Sequence, residues 1–219
     1  MSLLHIIEGN ALPLPIDNLD TDQIMPKQFL RIIDKAGLAD GLLYDLRFDA
    51  HGAPLRDSVF NDPRYRGASI LLGGANFGCG SSREHAVWGL QQYGFAAVIA
   101  PSFAEIFYSN AMNNRLLLVQ LGRTEMDKLL RDALSDPNTR LHIDIERQTV
   151  TGSTGRGFAF PLDPRHKRMV IEGIDTIGLT LAALDDIRAF ERKHRRRHPW
   201  AIVEIGSPGP GARKDSYTG

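Results

Sequence analysis

Residues 73–85 read Gly-Gly-Ala-Asn-Phe-Gly-Cys-Gly-Ser-Ser-Arg-Glu-His, a stretch that places two hydroxyls (Ser81, Ser82), a guanidinium (Arg83), a thiol (Cys79) and an acid–imidazole pair (Glu84, His85) around a glycine-rich turn. The turn follows the short apolar run 68–72 and precedes a segment of helical periodicity, so the sequence predicts strand, turn, helix. Glycines let the backbone approach a ligand and point unpaired N–H groups at it. Hydroxyls and a guanidinium on the first helical turn then sit where the helix dipole favours negative charge. This is the chemistry of a carboxylate or phosphate site.

Three other readings stand beside it. Ser81 and Glu84 fit a capping box, as do Ser102 and Glu105 one helix later. Capping alone accounts for neither the second serine nor the arginine. The turn lacks the Lys-Ser/Thr ending of a P-loop and the G-x-G-x-x-G of a dinucleotide site, which argues against nucleotides. Cys79 with His85 as base would make a nucleophilic pair, since a thiol at a helix N-terminus is acidified, but no third group orients it.

A second constellation is Asp20-Thr21-Asp22 with Lys27 and Arg31. Two carboxylates flanking a threonine can contribute to a divalent-cation site, which needs further oxygen ligands. The structural alternative is an Asx turn leading into a capped segment.

The elements that must carry these groups follow an α/β pattern. Residues 3–8 predict an opening strand, 36–43 a helix, and 47–66, with Pro54, Pro63 and Gly52, mostly loop. Strands are expected at 70–72, 95–100 and 116–121. Between them lie helices over 83–93, with Ala86, Val87, Leu90 and Tyr93 inward, and over 102–112, with Ser102 as cap and Phe103, Ile106, Phe107 and Asn110 at helical spacing. That alternation implies parallel pairing with crossover helices. A capped helix over 124–134, a hairpin of 142–145 and 148–151, a strand at 158–160, and helices over 166–172 and 181–193 complete the chain.

FGCGSSREHA, followed by YGF-x-x-VIAPSFAEIF and NN-x-LL, resembles the small subunits of 3-isopropylmalate dehydratases, members of the aconitase superfamily. The resemblance extends to NLDTDQIMPKQFLR, FNDPRYRGASIL and GIDTIGLTL, and so covers residues 5 to about 190. Two departures are the Ala86-Val87-Trp88 in place of the family's APW and a longer basic tail.

The resemblance implies a swivelling β/β/α domain of the aconitase C-terminal type, an α/β fold with a parallel or mixed sheet flanked by helices, over residues 1–195. It implies a hydro-lyase that isomerises 2-isopropylmalate and 3-isopropylmalate through 2-isopropylmaleate in leucine biosynthesis. Ser81 would be the catalytic base and Asp22 would support it. Ser82, Arg83 and Arg31 would bind the dicarboxylate substrate. Thr21, Lys27, Glu84 and His85 would support the site, His85 either facing the cofactor or bracing the helix start, and Phe29 and Leu30 would suit an isopropyl group. The reaction needs a 4Fe–4S cluster, which usually takes three or four thiolates. With Cys79 as the single cysteine, the cluster is expected on a large subunit, no metal or cofactor is expected on this chain, and activity is expected only in the complex. Related small subunits serve other 2-hydroxy diacids (methylmalate, dimethylmalate, homocitrate), and these remain alternative substrates.

Composition agrees with one modest enzyme domain: 42% hydrophobic, 24% charged, and a formal net charge of +0. No global field favours nucleic acid or an anionic membrane. No signal core or spanning run is expected, so the reading is cytoplasmic. One cysteine excludes an internal disulfide framework. The run Arg192-Lys193-His194-Arg195-Arg196-Arg197 reads as a solvated helix end, with RNA binding through this tail as the alternative function. Residues 196–219, rich in Gly, Pro and Ser, read as a disordered tail.

Overall fold

The computed structural model describes residues 3–30, 37–153 and 155–201. The chain divides into two units, 1–176 and 177–219. In chain order the elements are β1 (Ile6–Leu14), α1 (Thr21–Ile24), α2 (Leu38–Gly41), α3 (Tyr44–Arg47), β2 (Ile70–Gly73), α4 (Glu84–Tyr93), β3 (Ala97–Ala100), α5 (Glu105–Asn113), β4 (Leu117–Gln120), α6 (Arg123–Ser135), β5 (Arg140–Asp144), β6 (Thr149–Thr151), β7 (Gly157–Ala159) and α7 (Pro164–Glu172). Beyond them, α8 (Thr176–Ala182) starts at the division and α9 (Leu184–Arg197) lies in the second unit.

Seven strands among the described residues form one mixed sheet in the order β4-β3-β2-β1-β5-β6-β7. Strands β1 to β4 pair in parallel and β5 to β7 add antiparallel, with Ala11 beside Ile70 and Glu8 beside His142 fixing the register of the central strand on its two sides. This is the α/β fold with a mixed sheet and flanking helices that the resemblance implies.

The period of two along each strand explains the layering. Leu71, Val98 and Leu118 point into one core with α4 and α5, whereas Ile70, Leu72, Ala97, Ile99, Leu117 and Val119 point into the other with α6. Apolar on both faces, these strands read as continuous apolar runs, as parallel strands covered by helices must. Helix α4 begins after an extended Arg83 and ends at Gly94 in the left-handed region (φ 117°), the glycine stop its sequence predicts.

Several local expectations change. The opening strand runs on through Gly9, Asn10 and Pro13 to Leu14, residues that weaken a strand signal. Gly9 is tolerated because Ser69 of the neighbouring strand segment fills the space a Cβ would occupy. Ser102 does not cap α5: the helix starts at Glu105 behind Ala104, and the Ser102 hydroxyl instead accepts the Asn76 N–H at 2.8 Å. Ile106 is exposed, and Phe107 and Ala111 are the buried residues of α5. Helix α6 opens at Arg123 behind Gly122 without a side-chain cap. The single helix expected over 181–193 is two, α8 and α9, and none of their described residues is buried. The expected boundary at 195 falls inside α9, and residues 202–219 of the expected tail lie outside the described residues. No helix of the described residues is long and apolar enough to cross a membrane.

Candidate functional site

The candidate site lies where β1, β2 and β3 end, the edge of a parallel sheet at which ligands bind. Three loops meet there and are tied backbone to backbone. The loop after β1 bonds to the loop after β2 through Asn18 N–H to Ala75 O (2.8 Å), Gly78 N–H to Leu19 O (2.8 Å) and Thr21 N–H to Cys79 O (2.8 Å). The loop after β2 bonds to the loop after β3 through Phe77 N–H to Ser102 O (3.1 Å) and Ala104 N–H to Phe77 O (3.0 Å). Asp17 accepts the Ala75 N–H at 2.6 Å, which holds its carboxyl below the usual carboxylate range.

Two glycines are required for this approach. A Cβ on Gly74 would lie 2.3 Å from the backbone of Ile16. A Cβ on Gly78 would meet the Phe107 ring at 2.2 Å, and its φ of +77° is the left-handed region. Phe77 anchors the loop from inside, fully buried, with its ring edge-on to Phe107 at 5.4 Å. Such a pair contributes roughly 0.5–1.5 kcal/mol beyond its buried area.

This scaffold presents Ser81 and Ser82 to solvent. They precede the helix instead of opening it: α4 starts at Glu84, its N-cap is Arg83, and no side chain caps it. The capping-box reading of Ser81 and Glu84 therefore fails, and so does the placement of the hydroxyls and guanidinium on the first helical turn. Gly80, at φ +90°, and the extended Arg83 carry the chain past the point where a helix would start. The Ser81 carbonyl accepts the Thr21 hydroxyl at 2.8 Å, so a buried threonine of the first loop fixes the backbone of the serine.

Arg83 and Asp22 form an ion pair. The Arg83 side chain is 13% exposed and that of Asp22 42%, so the guanidinium is the partly desolvated partner. Arg83 Nη1 also donates to the Met25 carbonyl at 3.4 Å. Both contacts run through Nη1, which leaves the Nε–Nη2 edge of the fork to take a second carboxylate in two parallel bonds. The Asp22 carboxylate is free for this pair because Asp20 does the capping: Asp20 accepts the Gln23 N–H at 2.7 Å and Gln23 returns the bond to the Asp20 N–H at 3.1 Å. The capped-segment reading of 20–22 thus holds at Asp20, whereas the divalent-cation reading finds no further ligands among the described residues.

The remaining candidates fall around this core. Lys27 lies 3.9 Å from Asp22 with its side chain 77% exposed, so solvent screens the pair. Phe29 packs on Tyr44 (5.3 Å between ring centroids) and over Gly41, and Phe29 and Leu30 both lean on the α4–α5 core. His85 rests on the Trp88 ring at 4.8 Å. The Cys79 thiol donates to the Asn18 carbonyl at 3.2 Å, so thiol and imidazole are each engaged elsewhere and make no pair. Arg31 lies outside the described residues. Glu84 accepts from the Asn114 amide at 2.5 Å. Asn114, seen in the sequence only as part of NN-x-LL, is the residue sequence reasoning missed, because its partners lie 23 to 30 positions away.

Among the described residues no group of three His, Cys, Asp or Glu side chains could hold a metal ion, and the single cysteine, committed to Asn18, is not a cluster cradle. With one cysteine in the chain, the described residues do not fit a 4Fe–4S cluster.

A parallel sheet extended by three antiparallel strands, with a glycine-rich serine–arginine loop at its carboxyl edge, defines an aconitase C-terminal-type domain, and the aconitase C-terminal domain family matches residues 1–124. The C-terminal domain family of the 3-isopropylmalate dehydratase small subunit matches residues 176–201, beginning one residue before the second unit, and the LeuD_N family matches 127–164. A 3-isopropylmalate dehydratase small subunit of Chromobacterium violaceum is 58% identical over 207 residues, 94% of this chain and 97% of that protein. One of Roseobacter denitrificans is 46% identical over 91% of this chain and 100% of its own length. The crystal structure of a 3-isopropylmalate dehydratase from Methanocaldococcus jannaschii matches with a TM-score of 0.58 at 27% identity, covering 86% of this chain and 98% of that one. The chain belongs to the 3-isopropylmalate dehydratase small-subunit family.

Proposed function

We propose that this chain, as the small subunit of a 3-isopropylmalate dehydratase in leucine biosynthesis, brings to the shared active site the base and the carboxylate clamp of a hydro-lyase. The observation that carries this reading is Arg83 held by Asp22 beside the exposed Ser81 and Ser82 on three interlocked loops.

The chemistry follows from charge. The substrate carries two carboxylates and a hydroxyl, and isomerisation removes water across one C–C bond and returns it in the opposite sense. The proton lost lies next to a carboxylate, so negative charge spreads into that carboxylate as the C–H bond breaks. Ser81 takes this proton. A serine hydroxyl is a weak acid, and its alkoxide needs positive charge nearby; Arg83, two residues on, is the charge this loop brings, shared with Asp22 and the substrate carboxylate. The Nε–Nη2 edge of Arg83 receives a substrate carboxylate, and Ser82 donates to the same group. Asp22 keeps the guanidinium aimed by holding its other side. The 4Fe–4S cluster belongs to the large subunit on this reading and would supply the Lewis acid for the departing hydroxyl. No step assigned to this chain passes through it. Arg31 is proposed as a second carboxylate contact, and the cytoplasm as the location.

Anaerobic turnover of a panel of 2-hydroxy diacids by this chain with a cluster-loaded large subunit tests the substrate. 2-Isopropylmalate should be used in preference to methylmalate, dimethylmalate and homocitrate. Preference for one of the others would keep the clamp and replace the pathway.

A further inference from the structure

We infer that Asn114, at the C-terminus of α5, is a positioning residue that locks the first turn of α4 and thereby the direction of Arg83, an inference that rests on the clamp role given to Arg83 above. Both ends of its amide are engaged. Nδ2 donates to Glu84 Oε1 at 2.5 Å and to the Asn110 carbonyl at 2.9 Å, and Oδ1 accepts from Trp88 Nε1 at 2.7 Å. The Asn114 backbone carbonyl accepts from Gln91 Nε2 at 2.7 Å. One residue therefore bonds to α4 at positions 84, 88 and 91, a row that adjoins the residues anchoring the helix in the core, Ala86, Val87 and Leu90.

Burial of those three apolar side chains fixes α4 against the sheet but is non-directional. The amide network is directional and acts at the first turn, where Glu84 directly follows Arg83 and where Trp88 carries His85 on its ring. The amide cannot turn over. A flipped Asn114 would set its N–H against the indole N–H and its oxygen against the Glu84 carboxylate. The Ala86-Val87-Trp88 departure retains the one residue of that triplet, Trp88, that the network uses.

The donor–acceptor order supplies the test. Asn114→Asp sets two carboxylates against each other. The double variant Asn114→Asp/Glu84→Gln restores the bond with its direction reversed, because the new amide at position 84 donates while the new carboxylate at position 114 still accepts from Trp88. With the large subunit reconstituted anaerobically and 2-isopropylmalate as substrate, Asn114→Asp should raise KM about tenfold or more near neutral pH, in line with loss of a charge-assisted contact. The defect should shrink as pH falls and the facing carboxylates share a proton. The double variant should return to within about threefold of the wild type. A wild-type KM and pH profile for Asn114→Asp, or a double variant no better than the single, would overturn the positioning role. Wild-type inactivity on 2-isopropylmalate would instead sink the function reading. The network is read independently of activity from hydrogen exchange at the Trp88 indole N–H, which should be protected in the wild type and the double variant and unprotected in Asn114→Ala. Equal exchange in all three would overturn the network itself.

Discussion

On the function proposed above, Arg83 is the residue on which substrate recognition turns. Its guanidinium is mostly buried and already paired on one side, so a replacement must match planarity as well as charge. Arg83→Lys retains the charge and loses the two-pronged geometry. Steady-state kinetics should show KM for the dicarboxylate rising about 10- to 100-fold, the range for losing a charge-assisted bidentate contact. An unchanged KM would move the carboxylate elsewhere. The candidate site was proposed from residue types alone, since two serines and an arginine behind four glycines suit an anion. The local conformation was not legible. Ser81 and Glu84 sit at capping-box spacing, and only the left-handed Gly80 with an extended Arg83 shows that the helix starts later. The Asp22–Arg83 pair spans 61 positions, a separation that no periodicity encodes.

At the scale of the element, the loop after β2 keeps its shape because Gly78 occupies a left-handed backbone with the Phe107 ring where a side chain would be. Gly78→Ala should destabilise by about 1–3 kcal/mol through strain and overpacking. Calorimetry should record a fall of roughly 2–4 °C in Tm for each kcal/mol. Helices α5 and α7 meet at a polar contact between the buried His166 and the half-buried Tyr108: His166 Nδ1 lies 3.2 Å from the Tyr108 hydroxyl. Burial pushes His166 down to about 4, against the pull of Asp163. Because the folded value lies below the unfolded 6.5, the imidazole is neutral in both states above pH 6.5 and costs nothing there. Between pH 6.5 and about 4 only the unfolded chain takes up the proton, so stability falls by roughly 3 kcal/mol across that window. Urea titrations should show this slope in the wild type and a shallower one in His166→Phe. Parallel slopes would show that carboxylates alone govern the acid limb. The strands of the parallel half were legible from their apolar runs. β1 was cut short because Gly9 and Pro13 are poor strand residues whose place depends on neighbours such as Ser69.

For the whole molecule, the sheet and both cores lie in residues 1–176, whereas α9 has no buried residue. Its basic end, Arg192 to Arg197, carries none of the proposed chemistry. Removing residues 192–219 should leave turnover with the large subunit within about twofold of the full chain, since surface changes away from packed features perturb little. The same truncation discriminates the RNA alternative, for which a gel-shift with single-stranded RNA should show binding by the full chain that vanishes on truncation. Lost turnover would make the second unit part of the enzyme. The family was legible because its motifs are the segments that tie the three loops together backbone to backbone; the division at residue 176 was not, since composition hardly changes across it.

The central claim is that this chain holds the base but only half of the active site. The most direct measurement is anaerobic 2-isopropylmalate turnover, followed as 2-isopropylmaleate absorbance, by this chain, a cluster-loaded large subunit, and their mixture, each with wild-type and Ser81→Ala protein. Ser81 is exposed, so the substitution should leave the fold intact. Activity in the wild-type mixture alone, lost in Ser81→Ala, is the predicted result. Turnover by this chain without its partner, or a Ser81→Ala mixture as active as the wild type, would contradict it.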